Sequence, residues 1–279
     1  MEYTMSKVWF ISGAGRGFGR RFTEAALSRG DKVAATARNV AALDDLVAAY
    51  VEAVLPLELD VTDRSAVFES VARAKEQFGR LDVIVNNAGY GLFGAVEELS
   101  EEQLRRQLET NVFGAVWVTQ AALPHLRAQG SGHIVQISSV GGVAAGPLLG
   151  GYHASKWALE GLSEALAQEV AGLGIKVTLV EPSAFETDWI GSSAVRAEPL
   201  SVYEPVRERL AQLMAGSEAG DPTAAGQALL EIVDSENPPL RVFFGTAGNH
   251  LVPNIYADRL KTWSDWADVS LRAQGGRAA

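Results

Sequence analysis

Tyr152 and Lys156 stand one helical turn apart in the stretch YHASK, and Ser139 ends the run HIVQISS shortly before them. At the start of a helix this spacing puts a phenol and an ammonium on one face. A phenol with its ordinary pKa of about 10 is a poor base at neutral pH. A neighbouring ammonium, aided by a second positive charge nearby, is expected to lower it by about 1–3 units. The Tyr152 hydroxyl would then be poised to pass a proton to or from a substrate oxygen, and the Ser139 hydroxyl could hold that same oxygen. As a bare spacing, Tyr-x-x-x-Lys says little. Its weight comes from what stands elsewhere in the chain.

The stretch SGAGRGFG, Ser12 to Gly19, follows the apolar run Val8-Trp9-Phe10-Ile11 and places glycine at 13, 15, 17 and 19. Glycine loses more backbone freedom on folding than any other residue, so such a run needs a reason. Where a strand hands over to a helix, backbone N–H groups and the helix dipole form an anion site, and side chains would hold a pyrophosphate away. Phe18 occupies the third glycine slot of G-x-G-x-x-G; the spacing that fits is G-x-x-x-G-x-G, on Gly13, Gly17 and Gly19. The carboxylate that binds the ribose 2′-hydroxyl of NAD is expected about 20 residues on. There the second strand ends Thr36-Ala37-Arg38, without one. Arg38 can pair bidentately with a 2′-phosphate, and Arg16 can approach it from the opposite side. The expected cofactor is therefore NADP(H), with Arg16 and Arg38 as its phosphate ligands.

These groups need a frame. Short β-rich runs at Val8–Ile11, Lys32–Thr36, Val54–Glu58, Val83–Asn86, His133–Ile137, Lys176–Val180 and Arg241–Phe244 alternate with helical patterns near 18–29, 40–50, 63–78, 101–128 and 152–171. LSEEQ carries a capping box on Ser100 and Gln103. The alternation predicts an α/β fold, a doubly wound Rossmann-type parallel sheet of about seven strands flanked by helices on both faces. No repeat or linker interrupts it, so residues 1–279 are expected to form a single catalytic domain. Residues 184–221 show no convincing strand and read as a substrate lid. A helical segment around 253–271 places Tyr256, Leu260 and Trp263 in one stripe, expected to pack within the subunit or against another.

The bulk composition narrows the function. A net charge of −10 argues against nucleic-acid partners. With no cysteine there is no thiolate nucleophile. The uncharged run Ile134 to Gly151 contains five glycines and Pro147, and reads as strand plus loop rather than a membrane span. MEYTMSK shows no secretory pattern, so a cytoplasmic location is expected. The histidines at 125, 133, 153 and 250 lack ligand spacing and are expected at the surface or in loops, with no metal site; His153 could also face the pocket.

Taken together, these motifs resemble the short-chain dehydrogenase/reductase family in its compact single-domain branch, over roughly residues 6–190. SGAGRGFG is similar to its T-G-x-x-x-G-x-G loop, with Ser12 for threonine. NNAG (Asn86, Asn87, Ala88, Gly89) closes the fourth strand as in relatives, and Asp60 and Val61 of LDVTD correspond to residues flanking the adenine. Asn111 matches a helical asparagine whose backbone holds a relay water. Ser139, Tyr152 and Lys156 match the catalytic set. The resemblance implies that Lys156 bonds the nicotinamide ribose, that Pro182, Phe185 and Thr187 border the nicotinamide, and that the chain forms a homodimer or homotetramer through helices near 101–128 and 152–171, where Trp117 and Trp157 lie. Ser183 departs from the family's glycine. If that position takes a positive φ, serine there costs about a kcal/mol or more.

Candidate substrate walls are Tyr90, Leu92 and Phe93, then Val143, Leu148 and Leu149, and Trp189 in the lid. They are apolar and aromatic and contain no arginine to clamp a carboxylate. A hydrophobic secondary alcohol or ketone is therefore the expected substrate. The competing readings are a non-catalytic NADP-binding redox sensor, and an epimerase or dehydratase of the family's extended branch.

Overall fold

A computed structural model describes residues 6–191, 193–215 and 218–276. Met1–Met5 of the expected leader-free terminus, Ser192, Gly216 and Ser217 of the expected lid, and residues 277–279 lie outside the described residues. The first half of the chain runs β1 (Val8–Ile11), α1 (Gly17–Ser28), β2 (Lys32–Ala37), α2 (Asp44–Tyr50), β3 (Val54–Glu58), α3 (Arg64–Phe78), β4 (Val83–Asn86), β5 (Leu92–Phe93), α4 (Glu101–Leu108) and α5 (Gly114–Gln129). The second half runs β6 (Gly132–Ile137), α6 (Gly150–Val170), β7 (Ile175–Pro182), β8 (Val195–Arg196), α7 (Glu204–Met214), α8 (Pro222–Asp234), β9 (Arg241–Phe244), α9 (Ala247–Asp265) and α10 (Ala267–Ala273).

Seven strands form one parallel sheet in the order β3-β2-β1-β4-β6-β7-β9. Strands buried on both faces need continuous apolar runs, and alternation sends consecutive residues to opposite sides. Trp9 and Ile11 join Phe22, Leu229 and Val233 in a core that includes residues of α1 and α8. Phe10 joins Ile84, Val118 and Leu126 in a second core that includes residues of α3 and α5. The chain reverses direction across the sheet between β1 and β4. The carboxyl ends of those two strands therefore open the crevice where ligands bind in such sheets.

All seven expected sheet strands form, with ends shifted by two residues at most. The capping box also forms: Ser100 Oγ accepts from Gln103 N–H at 3.1 Å, and Gln103 Oε1 accepts from Ser100 N–H at 3.0 Å. Three expectations change. The helix expected over 101–128 is broken at Glu109–Phe113 by a π-helical turn. Residues 184–221 hold a strand after all, β8, which pairs in parallel with β5. A two-residue strand has no period to detect, and its partner comes from the other side of the sequence. The C-terminal helix starts at Ala247, ahead of Pro253, and Leu260 and Trp263 stay 61% and 68% exposed, so these two do not pack within the subunit. Ile134–Gly151 resolves as strand, loop and helix start, and among the described residues no helix is long and apolar enough to cross a membrane.

Candidate active site

Ser139 is the second residue past β6, while Tyr152 and Lys156 occupy the first two turns of α6; Tyr152 and Lys156 are each only 6% exposed. Ser139 hydrogen-bonds Tyr152, and its Oγ accepts from Gly141 N–H at 2.9 Å. The Lys156 ammonium donates to the Ile137 carbonyl at 2.8 Å and lies 5.8 Å from the centre of the Tyr152 ring. One strand end thus anchors all three side chains. Their electrostatics differ from the expectation. Burial pushes the Tyr152 phenol up to about 12, a rise only partly offset by the Ser139 hydrogen bond. Burial pushes Lys156 down to about 8, against the supporting charge of Glu160. Desolvation of the phenolate is thus the largest influence on Tyr152 here, opposite in direction to the lowering expected from the ammonium and the nicotinamide charge acting together.

Asn111 sits in the π turn, 2% exposed. Its side chain accepts from Tyr90 N–H and donates to the Tyr90 carbonyl and to Ser155 Oγ, each at 3.1 Å. Ser155, from the same YHASK stretch, donates onward to the Tyr152 carbonyl at 2.7 Å. These bonds latch the segment after β4 to α6. Ser155 and His153 were missed as positioning groups, although both lie inside YHASK. His153 Nδ1 donates to the Gly141 carbonyl at 2.9 Å and Nε2 accepts from Gly146 N–H at 3.1 Å, which fixes the loop carrying Ser139. Two of the four histidines are therefore buried rather than at the surface. His133 lies in β6 against Thr178 Oγ1 at 2.9 Å, and burial drives its pKa down to about 4.

The glycine loop crosses the carboxyl end of β1. Gly13 and Gly17 take φ of +69° and +54°, and a Cβ on Gly19 would lie 2.3 Å from the Gly13 carbonyl oxygen and 2.4 Å from Asn87 Nδ2. Asn87 Nδ2 donates to the Ser12 and Gly13 carbonyls, and Ser12 Oγ accepts from the Asn87 and Ala88 N–H groups. NNAG thereby clamps the loop, and Gly89 sits against the Asn111 side chain. Gly15 packs close to Ala37 and Ala42. Bare backbone over the amino end of α1 fits the pyrophosphate of a dinucleotide. Arg16, at the helix N-cap, and Arg38, just beyond β2, are both exposed beside it. Arg20 is committed to Glu24 and Asp45. A cleft of about 610 Å³ runs from Gly17 to Thr187. Phe18 stacks on Phe22 at 5.5 Å and meets Phe185 edge-on at 4.9 Å.

Asp60 caps its own turn through Thr62, and the Val61 side chain is buried under Gly114. After Pro182, Ser183 donates from both N–H and Oγ to the Phe244 carbonyl, and its φ is not positive. The expected strain therefore does not arise. The glycine is instead at 245, where φ is +82° and a Cβ would meet Ser183 Oγ at 2.3 Å.

Of the seven expected wall residues, the structure brings Phe93 and Trp189 together with Tyr152. The Trp189 ring lies 5.0 Å from Tyr152 and 5.1 Å from Phe93. Leu149, at the start of α6, forms a β-bridge with Gly94. Leu92 does not line the site: it is fully buried beneath Gly151, because neighbouring strand residues face opposite ways. Val143 also falls elsewhere, clustered with Ala144 and Val252.

Known proteins agree with this geometry. The family model for short chain dehydrogenase matches residues 7–196. The chain is 43% identical over 245 residues to Oxidoreductase BOA17 of Botryotinia fuckeliana, covering 86% of this chain and 89% of that one. It is 35% identical over 262 residues to the 3-ketodihydrosphingosine reductase of Bacteroides thetaiotaomicron, covering 92% and 93%. A crystal structure of a short-chain dehydrogenase from Streptomyces avermitilis superposes with a TM-score of 0.91 at 40% identity, covering 98% and 100%. Two more distant structures hold cofactors. A Burkholderia phymatum short-chain dehydrogenase/reductase was solved with NAD (TM-score 0.81, 26% identity, 94% and 97% covered), and a Thermococcus sibiricus alcohol dehydrogenase with 5-hydroxy-NADP (0.73, 25%, 88% and 98%).

Proposed function

The chain belongs to the short-chain dehydrogenase/reductase family, and from that premise we propose that it transfers hydride between NADP(H) and a hydrophobic secondary alcohol or ketone. The observation that carries the reading is the convergence of Ser139, Tyr152 and Lys156 at the end of β6, beside the glycine loop. The cofactor would lie over Gly13, Gly15, Gly17 and Gly19, with Asn87, Ala88, Gly89 and Asp60 along one side and Pro182, Phe185 and Thr187 along the other. Arg16 and Arg38 support NADP over NAD, since β2 ends without a carboxylate. When bound, the nicotinamide supplies or accepts the hydride.

The chain's own residues do the rest. Ser139 Oγ holds the substrate oxygen and stabilises its developing charge. Tyr152, kept protonated by burial, delivers its proton to that oxygen in the reducing direction. Lys156 holds positive charge beneath the phenol, and Asn111 keeps the segment after β4 tied to α6. Trp189 packs against both the Tyr152 and the Phe93 rings, an apolar surrounding that supports a lid role for 184–221 and an apolar substrate. The ketone-reductase name of the Bacteroides relative points the same way. Two helical faces carrying exposed Phe113 and Leu162 support a homo-oligomer.

The test is a panel of ketones and alcohols with NADPH and NADH, followed by nicotinamide absorbance. Wild type is expected to turn over apolar ketones. Tyr152→Phe is expected to lose nearly all turnover, by about 10²-fold or more, while NADPH binding stays close to wild type. Substantial activity in that variant would remove Tyr152 as proton donor. Tight NADPH binding without turnover across the panel would favour the redox-sensor reading instead.

A further inference from the structure

The residues around Trp189 bond mainly to one another. Thr187 N–H donates to the Phe185 carbonyl, Gly191 and Ser193 N–H donate to Asp188, and Ala194 N–H donates to Gly191. On either side the chain is pinned by other backbone. Glu186 N–H donates to the Gly220 carbonyl at 3.0 Å, and Val195 N–H donates to the Gly91 carbonyl at 2.9 Å, where β8 joins β5. Between those pins, Arg196 reaches back from β8. Its Nη2 donates to the Ile190 carbonyl at 2.7 Å, one residue from Trp189.

The same guanidinium lies 5.2 Å from the centre of the Phe93 ring, and Phe93 is the residue directly opposite Arg196 in the β5–β8 pair. A cation near an aromatic face is attracted by the ring quadrupole, and residues facing each other across two strands are close enough to interact. Phe93 in turn meets Trp189 at 5.1 Å, and Trp189 meets Tyr152 at 5.0 Å. Gly91 leaves the room for this: a Cβ there would lie 2.7 Å from the Trp189 ring and 3.0 Å from the Phe93 ring. The Arg196 backbone is itself held. Its carbonyl accepts from Gln103 Nε2 at 3.4 Å, and the next residue, Ala197, donates its N–H to the Phe93 carbonyl at 2.8 Å. Arg196 thus fixes both the backbone beside Trp189 and the ring against which Trp189 rests.

We propose that Arg196 is a positioning residue that holds Trp189 on the Tyr152 ring, and that Trp189, so held, restricts one substituent of the substrate ketone to a small group. A carbonyl carbon whose oxygen is bonded by Ser139 and Tyr152 carries two substituents, and the one lying toward Trp189 meets occupied space. Discrimination of this kind comes from what a fixed wall leaves no room for. A guanidinium suits the task, because it is always charged and can donate to a carbonyl while its plane stacks on a ring. Arg196 is exposed, and surface substitutions usually leave stability nearly unchanged, so the effect of losing it falls on the placement of Trp189. The substrate restriction rests on the oxidoreductase reading; the placement of Trp189 does not.

The experiment uses the full chain and Arg196→Met, which keeps an apolar stem but removes the donors and the charge. Acrylamide quenching of tryptophan emission is measured in both, with Trp189→Phe in each background to subtract the other tryptophans. The Trp189 share of the quenching is expected to rise in Arg196→Met while Tm stays close to wild type. With NADPH, acetophenone carries one small substituent and benzophenone carries two large ones. The kcat/KM ratio of benzophenone over acetophenone is expected to rise about tenfold or more in Arg196→Met, the scale on which a pocket wall discriminates. Arg196→Ala repeats both measurements should Arg196→Met fail to fold. Unchanged Trp189 quenching overturns the proposal, whether or not the chain reduces ketones. Raised quenching with an unchanged ratio overturns the substrate restriction. If wild type reduces no ketone, the oxidoreductase reading falls and the substrate restriction with it, and the quenching alone decides the role of Arg196.

Discussion

Burial, more than the neighbouring ammonium, sets the chemistry open to Tyr152. With its phenol pushed up to about 12, the side chain keeps its proton throughout the neutral range, which suits a donor to a ketone oxygen better than a base toward an alcohol. Lys156, pushed down to about 8, becomes the group whose charge changes first as pH rises. Its charged form is present below that value and lost above it. The kcat/KM for ketone reduction is therefore expected to be level toward neutrality and to fall as pH passes about 8. Glu160 raises the Lys156 pKa, so Glu160→Gln should move the fall to lower pH. A profile that does not move would separate Glu160 from Lys156, and one with no fall would remove Lys156 from the rate. At the other end of the cofactor cleft, Arg38→Asp replaces a bidentate phosphate partner with a like charge. The ratio of kcat/KM for NADPH over NADH should drop about tenfold or more, and an unchanged ratio would exclude Arg38 from the 2′-phosphate site.

The glycine loop shows the same economy one level up. Gly19 lies where a Cβ would run into the Gly13 carbonyl and Asn87 Nδ2, both fixed by hydrogen bonds, so the neighbours cannot yield cheaply. Gly19→Ala is expected to lower Tm measurably and to weaken NADPH binding by at least about tenfold, read by calorimetry; wild-type affinity would mean that the loop's tightness is irrelevant to the cofactor. This element was legible in the sequence because its requirement, a bare backbone between strand and helix, is written in residue type. The seven sheet strands were legible for a related reason: runs such as Val8–Ile11 must be apolar on both faces. What escaped detection leaves no such mark. The π turn at Glu109–Phe113 adds a residue to one helical turn, a change too local for a periodicity read over many residues to reveal, and β5 and β8 are too short to have a period. Leu92 and Phe93 are equally apolar, and only the strand's alternation sends one into the core and the other toward Trp189. Ser183, just past the sixth sheet strand, is understood only with Gly245, just past the seventh, whose missing side chain gives the serine its room.

Across the whole molecule, the two cores on either side of the sheet account for most large apolar side chains, and those left outside are informative by position. Scattered exposed hydrophobes are ordinary on a monomer. Phe113 and Leu162, at 41% and 46% exposed, are different because the turn bearing Phe113 contacts α6, the helix that carries Leu162 and positions Tyr152 and Lys156. Phe113 also stacks on Trp117 at 5.9 Å, where Arg64 covers the indole. Trp157, by contrast, is engaged by Arg259 of its own chain, so it has less left to offer a partner. A second copy docking on α5 and α6 would bury the Phe113 and Leu162 faces at about 25 cal/mol for each Å² of apolar surface removed from water. A buried aspartate without a partner there would oppose docking. Light scattering on a sizing column is expected to give a dimer or tetramer mass for wild type, and the monomer mass for Phe113→Asp with Leu162→Asp. Wild type eluting as a monomer, or the double variant keeping the assembly, would place any subunit contact away from these helices.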